Sequence, residues 1–116
     1  MNVTLPWPPK ELSPNARLHW AKLAKAKKAY RQHCHLLALE AGIRGPLPDD
    51  RLHVELTFYP PDRRHRDQDN MLAAMKSGLD GLADALRVND RNFKTTFEVA
   101  EQIGGMVKVS ITKANA

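Results

Sequence analysis

The 116-residue sequence predicts one α+β domain, with helices packed on a mostly antiparallel sheet in the order β-α-β-α-β-β. Three observations lead there. Residues 52–59 alternate strictly between apolar and polar side chains, the mark of a half-buried strand. Two longer stretches, about 17–41 and 69–87, repeat their apolar residues every three or four positions, the mark of a helix with one buried face. Turn-forming Gly, Pro and Asn fall between these segments rather than inside a linker, and no internal repeat divides the chain.

Taken in order, Val3–Leu5 form a short strand closed by the stiff Pro6-Trp7-Pro8-Pro9. Residues 10–17 are turn-like, with Ser13, Pro14 and Asn15 leading into the first helix. Leu23, Ala26, Tyr30, Cys34, Leu37 and Ala41 line its buried face, and Gly42 is its stop signal. A loop spans 44–50. The strand 52–59 carries Leu52, Val54, Leu56 and Phe58 inward and ends at Pro60-Pro61. The second helix places Met71, Leu72, Met75, Leu79, Leu82 and Leu86 on one side. Residues 93–101 and 106–112 read as strands, with Gly104-Gly105 between them as a hairpin signal.

Composition bounds the function. The chain is 42% hydrophobic and 27% charged, an ordinary globular balance. Its single cysteine, Cys34, excludes an internal disulfide and a cysteine-rich zinc site, and fits a reducing cytoplasm. No apolar run is long enough to span a membrane, and the first residues lack the pattern of a signal peptide, so the expected location is cytoplasmic. The net charge is +5 and the pI about 9.6. From Lys10 to Arg31 basic residues outnumber the lone acid Glu11 seven to one. Of these, Arg17, Lys22, Lys25 and Lys28 are candidates for contacting a nucleic-acid backbone, though such a run is also compatible with a solvated helix face. Trp7 and Trp20 read as packing residues before base-stacking platforms. The histidines at 19, 33, 35, 53 and 65 lack zinc-ligand spacing.

The segment Arg63-Arg64-His65-Arg66-Asp67-Gln68-Asp69-Asn70 is the most informative. Its simplest reading is helix capping, since an acid at a helix start accepts backbone N–H bonds and favours the macrodipole. One helix start does not require two aspartates with four basic neighbours. Residues i and i+2 diverge on a helix but point the same way in extended chain. Asp67 must therefore precede the helix and Asp69 open it if the pair is to offer hard oxygen ligands to Mg²⁺. In phosphodiester hydrolysis such a cation readies a water and neutralises developing charge. Arg64 and Arg66 would hold the phosphate backbone beside it. Lys76 falls on the same helical stripe as Asp69, two turns on, and can stabilise a phosphate. Asp80, four residues later, reads as its helix-surface partner.

Leu5-Pro6-Trp7-Pro8-Pro9, Asn15-Ala16-Arg17, Asp67-Gln68-Asp69-Asn70, Lys76, Asp80-Gly81-Leu82 and Asn89-Asp90 together resemble the RusA endodeoxyribonucleases of phages and prophages, over nearly the whole chain. The resemblance implies a homodimeric, Mg²⁺-dependent enzyme, with Mn²⁺ as an alternative ion, that resolves four-way DNA (Holliday) junctions by paired nicks in recombination and repair. It implies metal ligands at Asp67, Asp69 and Asp90, a catalytic lysine at Lys76, and substrate positioning by Asn70, Arg66, Arg17 and Asn15. Two departures stand out. Lys76 lies seven residues after the second aspartate, where founding members have four and this chain has Ala73; and Asn89, not a second acid, precedes Asp90. The rivals are a non-catalytic basic nucleic-acid-binding module whose aspartates only cap a helix, and a structural protein docking on a nucleoprotein complex.

A geometric expectation follows for the dimer. An unbroken helix over residues 69–87 would extend roughly 28 Å. Either Gly78 and Gly81 break it, or it holds Asp67 and Asp90 at opposite ends. Glycine costs only about 1 kcal/mol in a helix, so an intact helix is expected. Two such helices packed antiparallel would place Asp90 of one chain in the site of the other.

Overall fold

Leu52, Val54, Leu56 and Phe58 are all buried, and the residues between them look out from the opposite face, so the alternation builds strand β2 (Leu52–Tyr59). In the computed structural model, which describes residues 1–45 and 51–113, this strand lies inside a four-stranded sheet. Before it come β1 (Asn2–Pro6), a 3-10 turn (Lys10–Leu12) and α1 (Trp20–Glu40). After it come α2 (Gln68–Ala74), α3 (Lys76–Leu86), a second 3-10 turn (Asp90–Asn92), β3 (Phe93–Val99) and β4 (Met106–Lys113). Most of the loop expected over 44–50 lies outside the described residues.

The strand order is β1-β4-β2-β3. The β1/β4 and β2/β4 ladders are antiparallel and the β2/β3 ladder is parallel, so the sheet is mixed and mainly antiparallel. Register stacks one apolar face: Val3 and Leu5 beside Val109 and Val107, these beside Leu56 and Phe58, and Phe97 and Val99 beyond. Opposite it lies a polar face, where His53 meets Thr96 and Lys108 sits over the Tyr59 ring.

The expected hairpin of the last two strands does not form. β3 pairs with β2 instead, and α2 and α3 supply the crossover that parallel strands need. Gly104-Gly105 still make a turn, with Gly105 at φ +74° donating to the Tyr59 carbonyl at 2.7 Å. That turn passes over the end of β2, and a side chain at Gly104 would meet Tyr59 Cβ at 2.9 Å. The chain thereby crosses β2 and enters the sheet on its far side.

Tyr30, Cys34 and Ala38 are the buried row of α1, with Leu23, Ala26 and Leu37 packed beside them. Ala41, expected in that row, is exposed because the helix has already ended. Gly42 takes φ +82°, Ile43 N–H returns to the Ala38 carbonyl at 2.9 Å, and Ile43 turns fully into the core. The Tyr30 hydroxyl donates to the Pro6 carbonyl at 2.6 Å, tying this helix to β1.

The second helix corrects the sequence reading most. It is interrupted at Met75, between α2 and α3, and not at Gly78 or Gly81. Met75 is fully buried, its sulfur 3.5 Å from the Tyr30 hydroxyl. The glycines serve packing. A methyl group at Gly81 would lie 2.4 Å from the Arg31 carbonyl oxygen, so α3 and α1 meet nearly backbone to backbone. Arg31 then clasps Asp84 through two bonds of 2.7 and 2.8 Å.

Candidate active site

Asp67 is the N-cap of α2: its backbone is extended, with ψ 125°, and its Oδ1 accepts the Asp69 N–H at 2.9 Å. Asp69 sits in the first turn, so the extended-then-helical placement required by the i, i+2 spacing is met. Capping and exposure coexist at Asp67, but the two carboxylates do not share a cavity. Asp69 lines one of about 570 Å³ with Leu72, Lys76, Leu79, Asp90 and Phe93. Asp67 lines another of about 840 Å³, with Trp7, Asn15, Arg64, Arg66 and Asn70.

Asp90 reaches the first cavity because of two local features. α3 ends at Arg87 in the left-handed region, φ 55°. Asn89 then caps the short turn that presents Asp90, its Oδ1 accepting from Arg91 N–H at 3.0 Å. The Asp90 carboxylate accepts a hydrogen bond from the Lys76 ammonium, which also donates to Asp80 Oδ1 at 3.0 Å. Within one chain Asp69, Lys76 and Asp90 line one cavity, while Asp67 lies outside it. The seven-residue spacing from Asp69 to Lys76 spans the break at Met75.

Lys76 holds the Asp90 carboxyl below its ordinary range, and the nearby Arg31 charge adds to the effect. Asp90 in turn raises the Lys76 ammonium above its usual value, with Asp80 contributing. Asp80 is thus a member of the group that sequence reasoning treated as a surface partner only. The signal for it lay in Asp80-Gly81-Leu82, part of the family resemblance to which no role was attached.

Carboxylates are the hard oxygen donors that Mg²⁺ prefers, and here two of them, Asp80 and Asp90, already hold a cationic group. The donor type matches a hard divalent cation, and Asp69 lines the same cavity as Asp90. Among the described residues, however, no three His, Cys, Asp or Glu side chains gather closely enough to form a metal cage. Asp67 in particular is engaged by its cap.

The remaining site candidates divide into three groups. Arg66 bonds the carbonyls of Asp62 and Arg64 at 3.1 and 3.0 Å, pairs with the Asp62 carboxylate at 2.9 Å, and lies over Trp7. It shapes the loop more than it faces outward, whereas Arg64 is 79% exposed. Asn15 and Asn70 line the larger cavity, and neither carboxamide has a hydrogen-bond partner among the described residues. Arg17, Lys22, Lys25 and Lys28 are exposed, with no acid paired to them among the described residues. Trp7 packs edge-on against Phe58, as expected of a packing residue; Trp20, 75% exposed at the start of α1, does not.

Fold and cavity define a small α+β domain with a carboxylate–lysine group at the junction of two short helices and an edge strand. The chain is 44% identical over 115 residues to an uncharacterized protein of Xylella fastidiosa (strain Temecula1 / ATCC 700964), covering 96% of this chain and 75% of that one, and it belongs to that protein's family. No protein-family model matches the sequence. No helix among the described residues is long and apolar enough to cross a membrane.

Proposed function

We propose that the protein is a metal-dependent, structure-selective endodeoxyribonuclease that resolves four-way DNA junctions. The observation that carries this reading is the convergence of Asp69, Lys76 and Asp90, up to 21 positions apart in sequence, on one surface cavity. Asp69 and Asp90 would hold Mg²⁺ or Mn²⁺, which supplies positive charge at the phosphate and makes water a better nucleophile when bound. Lys76, on a helix, places its ammonium beside them and offers a donor to a phosphate oxygen. Arg64 and the exposed lysines of α1 supply positive charge along the backbone on either side. Two symmetric nicks need two such sites, which a homodimer provides. β3, at the edge of the sheet, leaves Phe93, Phe97 and Val99 only partly covered, a surface suited to such pairing.

Incubation of the protein with an end-labelled four-way junction and with linear duplex of the same sequence tests the reading. Paired nicks in the junction alone, dependent on Mg²⁺ or Mn²⁺, are expected. A second reading, a basic nucleic-acid-binding module, draws on the cap role of Asp67 and on the lack of a three-ligand cage among the described residues. It requires binding without cutting under every ionic condition.

A further inference from the structure

The larger cavity, on the far side of α2 from Lys76, is unused by the proposed hydrolysis. It is a half-open groove of about 840 Å³, within the range of small-molecule pockets and ample for one nucleotide. Trp7 and the Arg66 guanidinium, 5.5 Å from its ring centroid, both belong to the lining and offer planar groups there. Asn15 and Asn70 bring carboxamides to the lining from two distant parts of the chain, and neither carboxamide has a hydrogen-bond partner among the described residues. Lys10 and Arg64 add positive charge.

A carboxamide offers a donor and an acceptor side by side, the pattern that pairs with a base edge. Flat aromatic or guanidinium surfaces suit the faces of bases, and cations suit phosphate. We propose that this cavity receives one unstacked nucleotide of the bound strand, the base lying against Trp7 with its edge toward Asn15 and Asn70. The identification of that strand as DNA rests on the nuclease reading above. Asn70 and Asp69 are consecutive residues of α2 lining the two cavities, so one strand crossing this helix can leave a base in one and a phosphate in the other. A base inside a duplex cannot enter such a pocket; a base at a branch point, already partly unstacked, enters at lower cost. The pocket is thus a source of both branch selectivity and sequence preference.

The test uses the whole protein without metal. Nitrogen-15 NMR follows the Asn15 and Asn70 side-chain amides and the Trp7 indole N–H during titration with each deoxynucleoside 5′-monophosphate. 2-Deoxyribose 5-phosphate, which keeps the sugar and phosphate but lacks the base, is the reference. The expected result is movement of all three signals, with the best nucleotide binding about tenfold tighter than the reference. In the Asn15→Ala/Asn70→Ala double variant, correct folding is checked from the backbone spectrum and the nucleotide preference among bases should vanish. Equal affinity for nucleotide and reference, an absence of nucleotide binding, shifts confined to the Lys76 cavity, or a preference that survives the double substitution would each overturn the proposal. Because no step requires cleavage, a chain that fails to cut DNA can still pass this test, and an active nuclease can still fail it.

Discussion

Gly81→Ala probes the contact on which the site's geometry depends. The added methyl carbon would stand 2.4 Å from the Arg31 carbonyl oxygen, 3.0 Å from the His35 nitrogen and 3.1 Å from Cys34 Cβ. Two of these atoms are backbone of α1, so no rotamer change relieves the contact and the two helices must move apart. Overpacking of this kind costs about 1–3 kcal/mol. Replacing glycine by alanine inside a helix offsets about 1 kcal/mol of that. With backbone atoms in the way the cost lies toward the upper end of that range, about 2–3 kcal/mol. The expected net loss is therefore roughly 1–2 kcal/mol, and at about 4 °C per kcal/mol the Tm should fall by roughly 4–8 °C. Gly78→Ala is the internal control: its closest neighbour, at 2.7 Å, is the flexible end of Met75, so a smaller loss is expected. Urea titration of the three proteins, read by far-UV circular dichroism, gives the comparison. A Gly81→Ala protein as stable as the wild type, or more stable than Gly78→Ala, would refute the close-packed helix crossing.

Other outcomes are equally definite. Arg31→Ala should cost about 0.5–1 kcal/mol at pH 7, the discounted value for a partly exposed pair. Arg31 holds the Asp84 carboxyl below its ordinary value, so this stability is present above about pH 4 and fades as pH falls through the lowered folded value; chemical denaturation at pH 7 and pH 3 should show the variant and wild type converging. Lys76→Met frees Asp80 and Asp90 of their internal ammonium, so Mn²⁺ binding followed by electron paramagnetic resonance should tighten while junction cleavage falls; unchanged or weaker Mn²⁺ binding would contradict the cation role of this group. Lys25→Ala with Lys28→Ala should reduce the salt dependence of junction binding by roughly 2 in log–log slope, measured by fluorescence anisotropy, and an unchanged slope would make α1 a solvated face. Asp69→Asn mixed with Asp90→Asn should stay inactive, because one chain supplies both residues to a cavity; restored nicking would bring back a composite site.

Much of the fold was legible because its signals are local. The alternation in residues 52–59 and the three-and-four spacing of Tyr30, Cys34 and their neighbours each reflect one element burying one face. The β3–β4 connection was not, because Gly104-Gly105 report a turn but not which strands it joins. Pairing of β3 with β2 is decided by the crossover through α2 and α3, far from the glycines in sequence. The interruption at Met75 was hidden for a different reason. No proline or glycine marks it, and apolar spacing runs unbroken through Met71, Met75, Leu79 and Leu82, all of which stay in the core. The return of Asp90 to Lys76 and Asp80 was hidden too, because it is made by the left-handed end of α3 at Arg87 and the turn capped by Asn89, which leave no periodic signal. The placement of Asp67 before the helix and Asp69 in its first turn, by contrast, was expected from backbone periodicity together with the requirement that the pair face one way. Its limit was that spacing fixes where two side chains start, not that the Asp67 carboxylate would turn to its own helix cap.

The central claim is that Asp69, with Lys76 and Asp90, forms a metal-dependent site for cutting branched DNA. Single-turnover cleavage of a four-way junction by the wild type and Asp69→Asn, with binding measured on the same samples, tests it most directly. The account predicts paired nicks by the wild type in Mg²⁺ and none without it. It also predicts that Asp69→Asn binds the junction at least as well, having lost a charge that repels phosphate, yet does not cut. A wild type that binds but never nicks, or an Asp69→Asn variant that nicks at the wild-type rate, would contradict it.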